Sequence, residues 1–279
     1  MLPPIANQFV AGTTASGTLD YVSDCNSDGM GAIVNLLGEH YDDPERAAAD
    51  TDTYCQLVSE LAAHDIDGCI SVKPSQIGID ISPDVFESNF TRIVETGANH
   101  DVFVWCDMED HTTTDTTLEA VEAAAQDNPH GVGIAIQANL KRTDEDLQRL
   151  VDVPAAVRLV KGAYDEPTTI AYESKAAVNE AYKRHLEFLF REFDQGIAVG
   201  SHDPEMLETA TDLHEEYGTP FEIQMLMGVR EDAQRELASE GYEVNQYVPY
   251  GDKWIQYFYR RVRERKENAL FALRAIIGI

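Results

Sequence analysis

The chain has 279 residues, enough for one large domain or two small ones, and its composition is that of a globular protein except in charge. Asp and Glu number 50 against 21 Lys and Arg, so the formal net charge is −29. This charge argues against nucleic acid as a partner. Because the acids are spread along the chain rather than gathered in a tail, we expect a hydrated acidic surface of a halophilic kind, suited to a high-salt cytoplasm.

The sequence start and the cysteines both predict an intracellular protein. Met1-Leu2-Pro3-Pro4 has neither the charged region nor the apolar run of a secretory signal, and no apolar run approaches the roughly 18 residues that would span a membrane. The cysteines have no CxxC spacing and no His in metal-ligand register, so reduced thiols are expected. These cysteines are Cys25, Cys55, Cys69 and Cys106.

Residues 1–30 fit no repeating unit and are predicted to form a short N-terminal arm. From residue 31 onward, short β-branched apolar runs alternate with longer amphipathic segments. The runs lack polar alternation, which is typical of strands buried on both faces. The eight predicted strands are Ala32–Leu36, Cys69–Val72, Val102–Cys106, Val132–Ile136, Ala156–Val160, Ile197–Gly200, Phe221–Gln224 and Glu243–Val248.

Helical patterns fill the segments between these strands. Three of them are predicted to open with proline at the first helical position, at Asp43-Pro44, Ser82-Pro83 and Asp203-Pro204. The others are predicted over Thr114–Ala125, after a Thr143-x-x-Asp146 cap, over Tyr172–Phe193, from Val229 and over Trp254–Ile277. Eight strand–helix units of this total length predict an α/β fold, a (β/α)8 TIM barrel over residues 31–279.

Polar residues follow nearly every predicted strand, at the barrel face where chemistry takes place in this fold. Singly, each has an ordinary structural explanation, such as a surface lysine, a helix cap or a turn. Together they predict one site. The polar residues are Lys73, Asp107, Glu109, Gln137, Arg158, Lys161, Tyr164, Ser201, His202, Asp203, Glu222, Gln224 and Tyr247, and the apolar or small residues Gly162, Ala163 and Leu226 stand among them.

The cations of this set, with Arg260 and Arg261 of the last predicted helix, indicate a site for anions. Tyr257 shares a helix face with both arginines, and guanidinium forks fit a carboxylate or phosphate. A solvated, salt-bridged surface helix is the alternative. Cofactor phosphates and a substrate carboxylate together would use this much positive charge. Crowded cations disfavour a metal site, consecutive Ser201-His202-Asp203 cannot form a relay triad, and no G-x-G-x-x-G or P-loop is present.

The placed residues resemble those of the proline dehydrogenase family, whose members are FAD-dependent, distorted (β/α)8 barrels. The resemblance runs from about Phe9 to the C-terminus, and its most specific parts are the segment Arg158–Tyr164 and the paired arginines. The other matching segments are Leu36–Glu39, Ser71–Gly78, Asp107–Glu109, Ser201–Asp203, Phe221–Arg230, Tyr247–Gly251 and Tyr257–Arg261.

The resemblance implies a role for each matching residue. The catalytic residues would be Lys73, Asp107 and Arg158, with Arg158 near the reactive edge of the flavin. The substrate, held through its carboxylate by Lys73 and both arginines, would contact Lys73, Asp107, Tyr164, Leu226, Tyr247, Tyr257, Arg260 and Arg261. FAD would contact Gln137, Arg158, Lys161, Gly162, Ala163, Tyr164, His202, Gln224 and Glu264.

The resemblance also implies the reaction, which is oxidation of L-proline to Δ1-pyrroline-5-carboxylate, the first step of proline catabolism. Electrons would pass to a quinone or another acceptor, which implies transient contact of a cytoplasmic protein with the inner face of the membrane. A homo-oligomer is left open. Two alternatives stand beside this reading. One is a flavin barrel acting on another cyclic or N-alkylated amino acid such as hydroxyproline, and the other is a non-enzymatic barrel that binds flavin or an amino acid.

Overall fold

A computed structural model of the protein describes residues 6–64, 66–255 and 257. Eight parallel strands close into a barrel, in which each strand pairs with the next in sequence and β8 pairs with β1. The strands are β1 Gly31–Leu36, β2 Gly68–Val72, β3 Val104–Cys106, β4 Val132–Gln137, β5 Ala156–Val160, β6 Ile197–Gly200, β7 Phe221–Leu226 and β8 Glu243–Tyr250. The predicted (β/α)8 architecture is therefore confirmed.

Among the described residues, one α-helix precedes the first strand and one α-helix lies in each of the seven intervals between successive strands, besides two short 3-10 helices at Ala6–Gln8 and His111–Thr113. The helices are α1 Ala15–Ser27, α2 Pro44–Ala63, α3 Pro83–His100, α4 Thr114–Asp127, α5 Thr143–Leu150, α6 Lys175–Glu192, α7 Pro204–Tyr217 and α8 Glu231–Ser239. The helix predicted over Trp254–Ile277 lies almost entirely outside the described residues. Across residues 6–64, 66–255 and 257, no helix is both long enough and apolar enough to cross a bilayer.

Local signals fix three helix starts where the sequence predicted them. The side chains of Asp43, Ser82 and Asp203 each accept a hydrogen bond from a backbone N–H in the first turn of α2, α3 and α7. Each cap is followed by proline, whose missing N–H costs nothing at the first helical position. These three caps depend on neighbouring residues alone, which explains why the sequence sufficed.

Several predicted element ends differ from the structure by one to three residues, among them the ends of β7 and β8 and the starts of α6 and α8. Two further differences have a clear physical reason. Thr143 does not cap α5. It is the first residue of the helix, and its hydroxyl donates to the carbonyl oxygen of Gln137 at 2.6 Å. β3 begins at Val104 rather than Val102, because the N–H of Val102 donates to the carbonyl of Gly97 in the turn that ends α3. In both places a partner from the adjacent strand or helix turn overrides the local pattern.

Helix α1 packs on the outside of the barrel at the seam between β1 and β8. Its apolar residues Leu19 and Val22 are buried, and the Tyr21 hydroxyl donates to Oε1 of Gln246 on β8 at 2.6 Å. The segment predicted to be an N-terminal arm therefore contains a helix that is part of the barrel's outer layer.

The described residues form three apolar clusters, of which two build the barrel and differ greatly in size. The larger lies between the strands and the helices and contains the bulkiest buried side chains, among them Tyr54, Phe86 and Tyr182. The smaller lies inside the barrel and is built around Ile33, Trp105 and Ala198. Because this inner cluster is small, much of the space enclosed by the strands is available to polar side chains.

Candidate active site

Asp107, directly after β3, is the centre of a polar cluster at the carboxyl ends of the strands. Nη2 of Arg158 lies 2.5 Å from Oδ1, and Nζ of Lys73 lies 3.0 Å from Oδ2. Ser71 and Tyr247 donate their hydroxyl hydrogens to the same two oxygens, each at 2.7 Å. The donors come from β2, β5 and β8, so closure of the barrel brings together residues that are far apart in the sequence.

Both members of the Asp107–Lys73 pair stay charged near neutral pH. Burial alone would raise the pKa of Asp107, but the charges of Lys73 and Arg158 and the hydrogen bonds hold that pKa well below its usual range. Burial alone would lower the pKa of Lys73, but the charges of Asp107, Tyr164 and Glu109 raise it above its usual range. Asp107 is thus an acceptor that orders cations rather than a proton acceptor.

The guanidinium of Arg158 is held on three sides. Its central carbon lies 4.9 Å from the ring centroid of Trp105 and 5.7 Å from that of Tyr247, both within the range of cation–π attraction. Nη1 donates to Oε1 of Gln224 at 3.1 Å. Because only 4% of Arg158 is exposed, its orientation is set by these partners and by Asp107.

Glu109 is a second buried carboxylate beside the cluster. It accepts hydrogen bonds from the backbone N–H and the hydroxyl of Ser75, at 2.6 and 2.8 Å. Burial raises its pKa above the usual range. Gln137 donates to its backbone carbonyl at 2.8 Å, and the Tyr164 hydroxyl lies 3.5 Å from Oε1. Two residues predicted to contact FAD are therefore joined to the loop that follows β3.

The loops after β5 and β6 meet beside this cluster. Nζ of Lys161 lies 2.6 Å from a carboxylate oxygen of Asp203, and Nε2 of His202 accepts the N–H of Leu226 at 2.8 Å. Asp203 thus pairs with Lys161 and caps α7. Ala163 is exposed on the loop after β5.

Gly162 and Asn139 make a close backbone approach next to Lys161. The φ angle of Gly162 is +104°, and a Cβ built on it would lie 2.1 Å from Oδ1 of Asn139. Oδ1 is buried and accepts no hydrogen bond within the part of the chain that the structure describes. A buried acceptor without a partner is uncommon, which marks this point as a place where a ligand donor belongs.

The remaining predicted site residues lie beside the Asp107 cluster or outside the described residues, and Tyr257 lines the same cavity as Lys73. Arg260, Arg261 and Glu264 lie outside the described residues, and their roles stay predictions. Tyr257 is buried in an apolar cluster with Phe9, Val10 and Leu37. Leu226 is half-buried at the end of β7, paired in register with Tyr247.

Ser71, Trp105 and Asn139 belong to the site but were not predicted from the sequence as site residues. A signal for the first two is present in the alternation of side chains along a strand. Ser71 stands two residues before Lys73, and Trp105 stands two before Asp107, so each shares the inward face with a residue that was predicted. Asn139 carries no such signal, because it lies in the turn after β4.

The fold and the cluster define a (β/α)8-barrel enzyme, since barrel enzymes carry their catalytic residues at the carboxyl ends of the strands. The sequence model of the family described as "Proline dehydrogenase" matches residues 18–274. The chain belongs to the proline dehydrogenase family, a family of oxidoreductases, as the motifs predicted.

Curated relatives and solved structures agree with this membership. The chain is 32% identical to Proline dehydrogenase 2 of Bacillus subtilis (strain 168) over 97% of its own length and 90% of the relative's. It is 34% identical to Proline dehydrogenase of Deinococcus radiodurans over 98% and 90% of the two lengths. Proline utilization A (PutA) from Bdellovibrio bacteriovorus, inactivated by N-propargylglycine, has a TM-score of 0.84 at 25% identity. The match covers 92% of this chain but 32% of that protein, so the chain spans about a third of PutA. These comparisons do not favour the alternative readings of the sequence.

Proposed function

We propose that the protein catalyses the FAD-dependent oxidation of L-proline to Δ1-pyrroline-5-carboxylate, the first step of proline catabolism. The observation that carries the proposal is the Asp107 cluster, in which one carboxylate orders an ammonium, a guanidinium and a phenol at the carboxyl ends of the strands. Membership of the family supports proline as the substrate. The match to the curated proline dehydrogenases over 90% of their length supports the same activity for the whole chain.

The residues present fit a flavin. Oδ1 of Asn139 is a buried acceptor that an N–H or a ribityl hydroxyl would satisfy. Gly162 keeps the backbone beside it free of a side chain, which allows a cofactor to approach closely. Lys161 and Arg158 supply the positive charge that a diphosphate and a reduced flavin ring require. The full set of proposed FAD contacts is Gln137, Arg158, Lys161, Gly162, Ala163, Tyr164, His202, Gln224 and Glu264.

Lys73 is the best-placed cation for the substrate carboxylate. Asp107 fixes its ammonium, and the side chain is 18% exposed, lining a cavity of about 380 Å³ at this mouth of the barrel. Arg260 and Arg261 would complete the clamp in this proposal. The ring of the substrate would lie against side chains already near the cluster or predicted to join it, namely Tyr164, Leu226, Tyr247 and Tyr257.

In the proposed mechanism, bound FAD supplies the hydride acceptor and the chain supplies position and charge. Lys73 binds the substrate carboxylate by a charge-assisted hydrogen bond, which fixes the ring relative to the cofactor. Asp107, held ionised, keeps Lys73 and Arg158 in place without taking a proton from the substrate. Arg158, fixed between Trp105 and Asp107, keeps a positive charge beside the flavin.

The test is anaerobic reduction of the purified protein after reconstitution with FAD. L-proline should bleach the visible flavin absorption, while D-proline and glycine should not. Relative kcat/KM for proline and hydroxyproline then measures the preference for the ring. A protein that stays colourless after reconstitution, or a flavin that L-proline does not reduce, would refute the proposed function.

We also propose that a quinone takes the electrons and that the protein acts in the cytoplasm, at the inner face of the membrane. The support is the family's chemistry, since a quinone resides in a bilayer. Turnover with quinone in anionic and neutral vesicles, compared with turnover with a soluble dye, tests both points. If the vesicles do not raise the quinone rate above that of dispersed quinone, peripheral contact is the wrong interpretation. A homo-oligomer stays a prediction, which light scattering can test.

A further inference from the structure

Glu222 lies inside the barrel on β7, two residues before Gln224, on the side away from the substrate. Its two carboxylate oxygens accept separate hydrogen bonds, one from the amide nitrogen of Gln224 and one from that of Asn245 on β8. The other end of the Gln224 amide, Oε1, accepts from Nη1 of Arg158 at 3.1 Å. A continuous path of hydrogen bonds therefore joins Glu222 to Arg158 through the centre of the barrel.

The orientation of the Gln224 amide is decided by what stands at its two ends. A carboxylate can only accept hydrogen bonds and a guanidinium can only donate them. With Glu222 ionised, the amide nitrogen must face Glu222 and the oxygen must face Arg158. Without an acceptor at position 222, the amide nitrogen of Gln224 loses its partner, and the hydrogen bond from Arg158 is left to hold the amide from one end instead of two.

We propose that Glu222 is a positioning residue for Arg158, which acts through the amide of Gln224 from the amino-terminal side of the barrel. The inference rests on the proposed function, because it treats Arg158 as the cation beside the flavin. It adds a group that the site at the carboxyl ends of the strands does not contain.

Water reaches Glu222 from the opposite mouth. A cavity of about 450 Å³ opens there and is lined by Glu222 and Trp105. The guanidinium of Arg158 lies 4.9 Å from the centroid of the Trp105 ring. Burial raises the pKa of Glu222 to about 7, against the hydrogen bonds that favour the ionised form. The titratable and charged groups that face Glu222 or share its cavity are Glu243, Arg158, Cys69, Asp67 and Asp101.

Because the pKa of Glu222 is raised, an effect of Glu222 on the position of Arg158 can be distinguished from an effect on the stability of the fold. The folded protein binds a proton at Glu222 more tightly than the unfolded chain does, so this group's contribution to stability is present at low pH and is lost as the pH rises to about 7. Above that pH, replacing Glu222 by a neutral side chain should leave the protein at least as stable as before. A role in folding alone would give the opposite result.

The experiment compares three variants of the FAD-loaded protein with the wild type. Glu222→Met removes the acceptor and the charge at similar volume. The double variant Glu222→Gln/Asn245→Asp moves the carboxylate to position 245, where it fixes the amide nitrogen of the new glutamine and leaves that amide's oxygen for Gln224. Glu243→Gln removes a neighbouring exposed carboxylate from the same cavity and serves as the matched control.

The expected results form a pattern. Glu222→Met lowers kcat for proline by about tenfold or more and changes KM by less than about threefold. Its melting temperature at pH 8 is no lower than that of the wild type. The wild-type kcat rises through an ionisation near pH 7 that Glu222→Met lacks. The double variant recovers kcat to within about threefold of the wild type. Glu243→Gln keeps the wild-type kcat and melting temperature at pH 8, and its ionisation moves to lower pH because the charge of Glu243 raises the pKa of Glu222.

Three results would overturn the inference: a Glu222→Met variant with kcat within twofold of the wild type, a loss of kcat that the double variant does not recover, or a melting temperature at pH 8 that falls together with kcat. The wild type itself distinguishes this failure from failure of the proposed function. If L-proline does not reduce the wild-type flavin, the function is wrong. If reduction is normal and the variants show any of these three results, the role of Glu222 alone is wrong.

Discussion

Asp107→Asn is the sharpest test of the cluster, because it removes one charge at nearly constant shape. Asp107 accepts from four side chains, two of them cationic, and one cation, Arg158, is 4% exposed. The new amide group must point its N–H toward one pair of these donors. Removing one partner of a buried ion pair costs on the order of 3–5 kcal/mol, which corresponds to a fall in melting temperature of roughly 5–9 °C for 279 residues.

Activity should fall further than the loss of stability explains. Asp107→Asn frees both Lys73 and Arg158 from their common acceptor, and we expect kcat/KM for proline to drop by about 100-fold or more at a temperature where the variant is folded, about 2.7 kcal/mol of transition-state stabilisation. The control is Asp146→Asn on α5, which breaks a bidentate pair with Arg142 and removes none of the donors to Asp107. It should lower the melting temperature and leave kcat/KM within about twofold. If Asp107→Asn kept kcat/KM within threefold of the wild type, Asp107 would not order the cations.

Three further predictions concern the substrate, the cofactor and the acidic surface. Lys73→Met should raise KM for proline by about 10–100-fold through loss of a charge-assisted hydrogen bond, with FAD still bound. The control Lys183→Met on α6 should leave KM unchanged. If KM were also unchanged in Lys73→Met, Lys73 would not bind the substrate carboxylate. Gly162→Ala should weaken FAD binding by at least about tenfold in a fluorescence titration, because its Cβ would meet Asn139. Gly218→Ala also has a positive φ but open space around it, so it should lose stability without losing FAD. Finally, the melting temperature should rise steadily between about 0.1 and 3 M KCl as salt screens the net charge of −29, and a flat curve would contradict the halophilic interpretation.

The sequence predicted the elements whose signals are local. Asp43 and Ser82 cap their helices with donors from the same turn, so the neighbouring residues were sufficient. The ends of β2 and β3 could be predicted in the same way, and with them the position of Lys73 and Asp107 at one face of the barrel. Thr143 failed because its hydroxyl is satisfied by Gln137, a residue of the preceding strand.

The remaining parts of the site depend on contacts across the barrel, which leave no pattern in the chain. Arg158 and Gln224 stand on β5 and β7, two strands that are not neighbours, and they meet because the interior between them is open. The orientation of the Gln224 amide depends in turn on Glu222, which the sequence offered simply as a polar residue on a strand. Asn139 was identified because its buried Oδ1 accepts no hydrogen bond from the described residues, and a sequence pattern contains no information on unsatisfied acceptors.

The position of α1 has a consequence for how the chain folds during synthesis. The helix packs against β1 and β8, and its Tyr21 contacts Gln246, a partner 225 residues later in the sequence. While the ribosome makes the intervening residues, the apolar face of α1 has no β8 to cover it. Contacts of such long sequence separation form late and slow folding, so the chain carries this exposed surface through most of its synthesis. A nascent chain stalled before β8 should therefore be the species that a chaperone recognises.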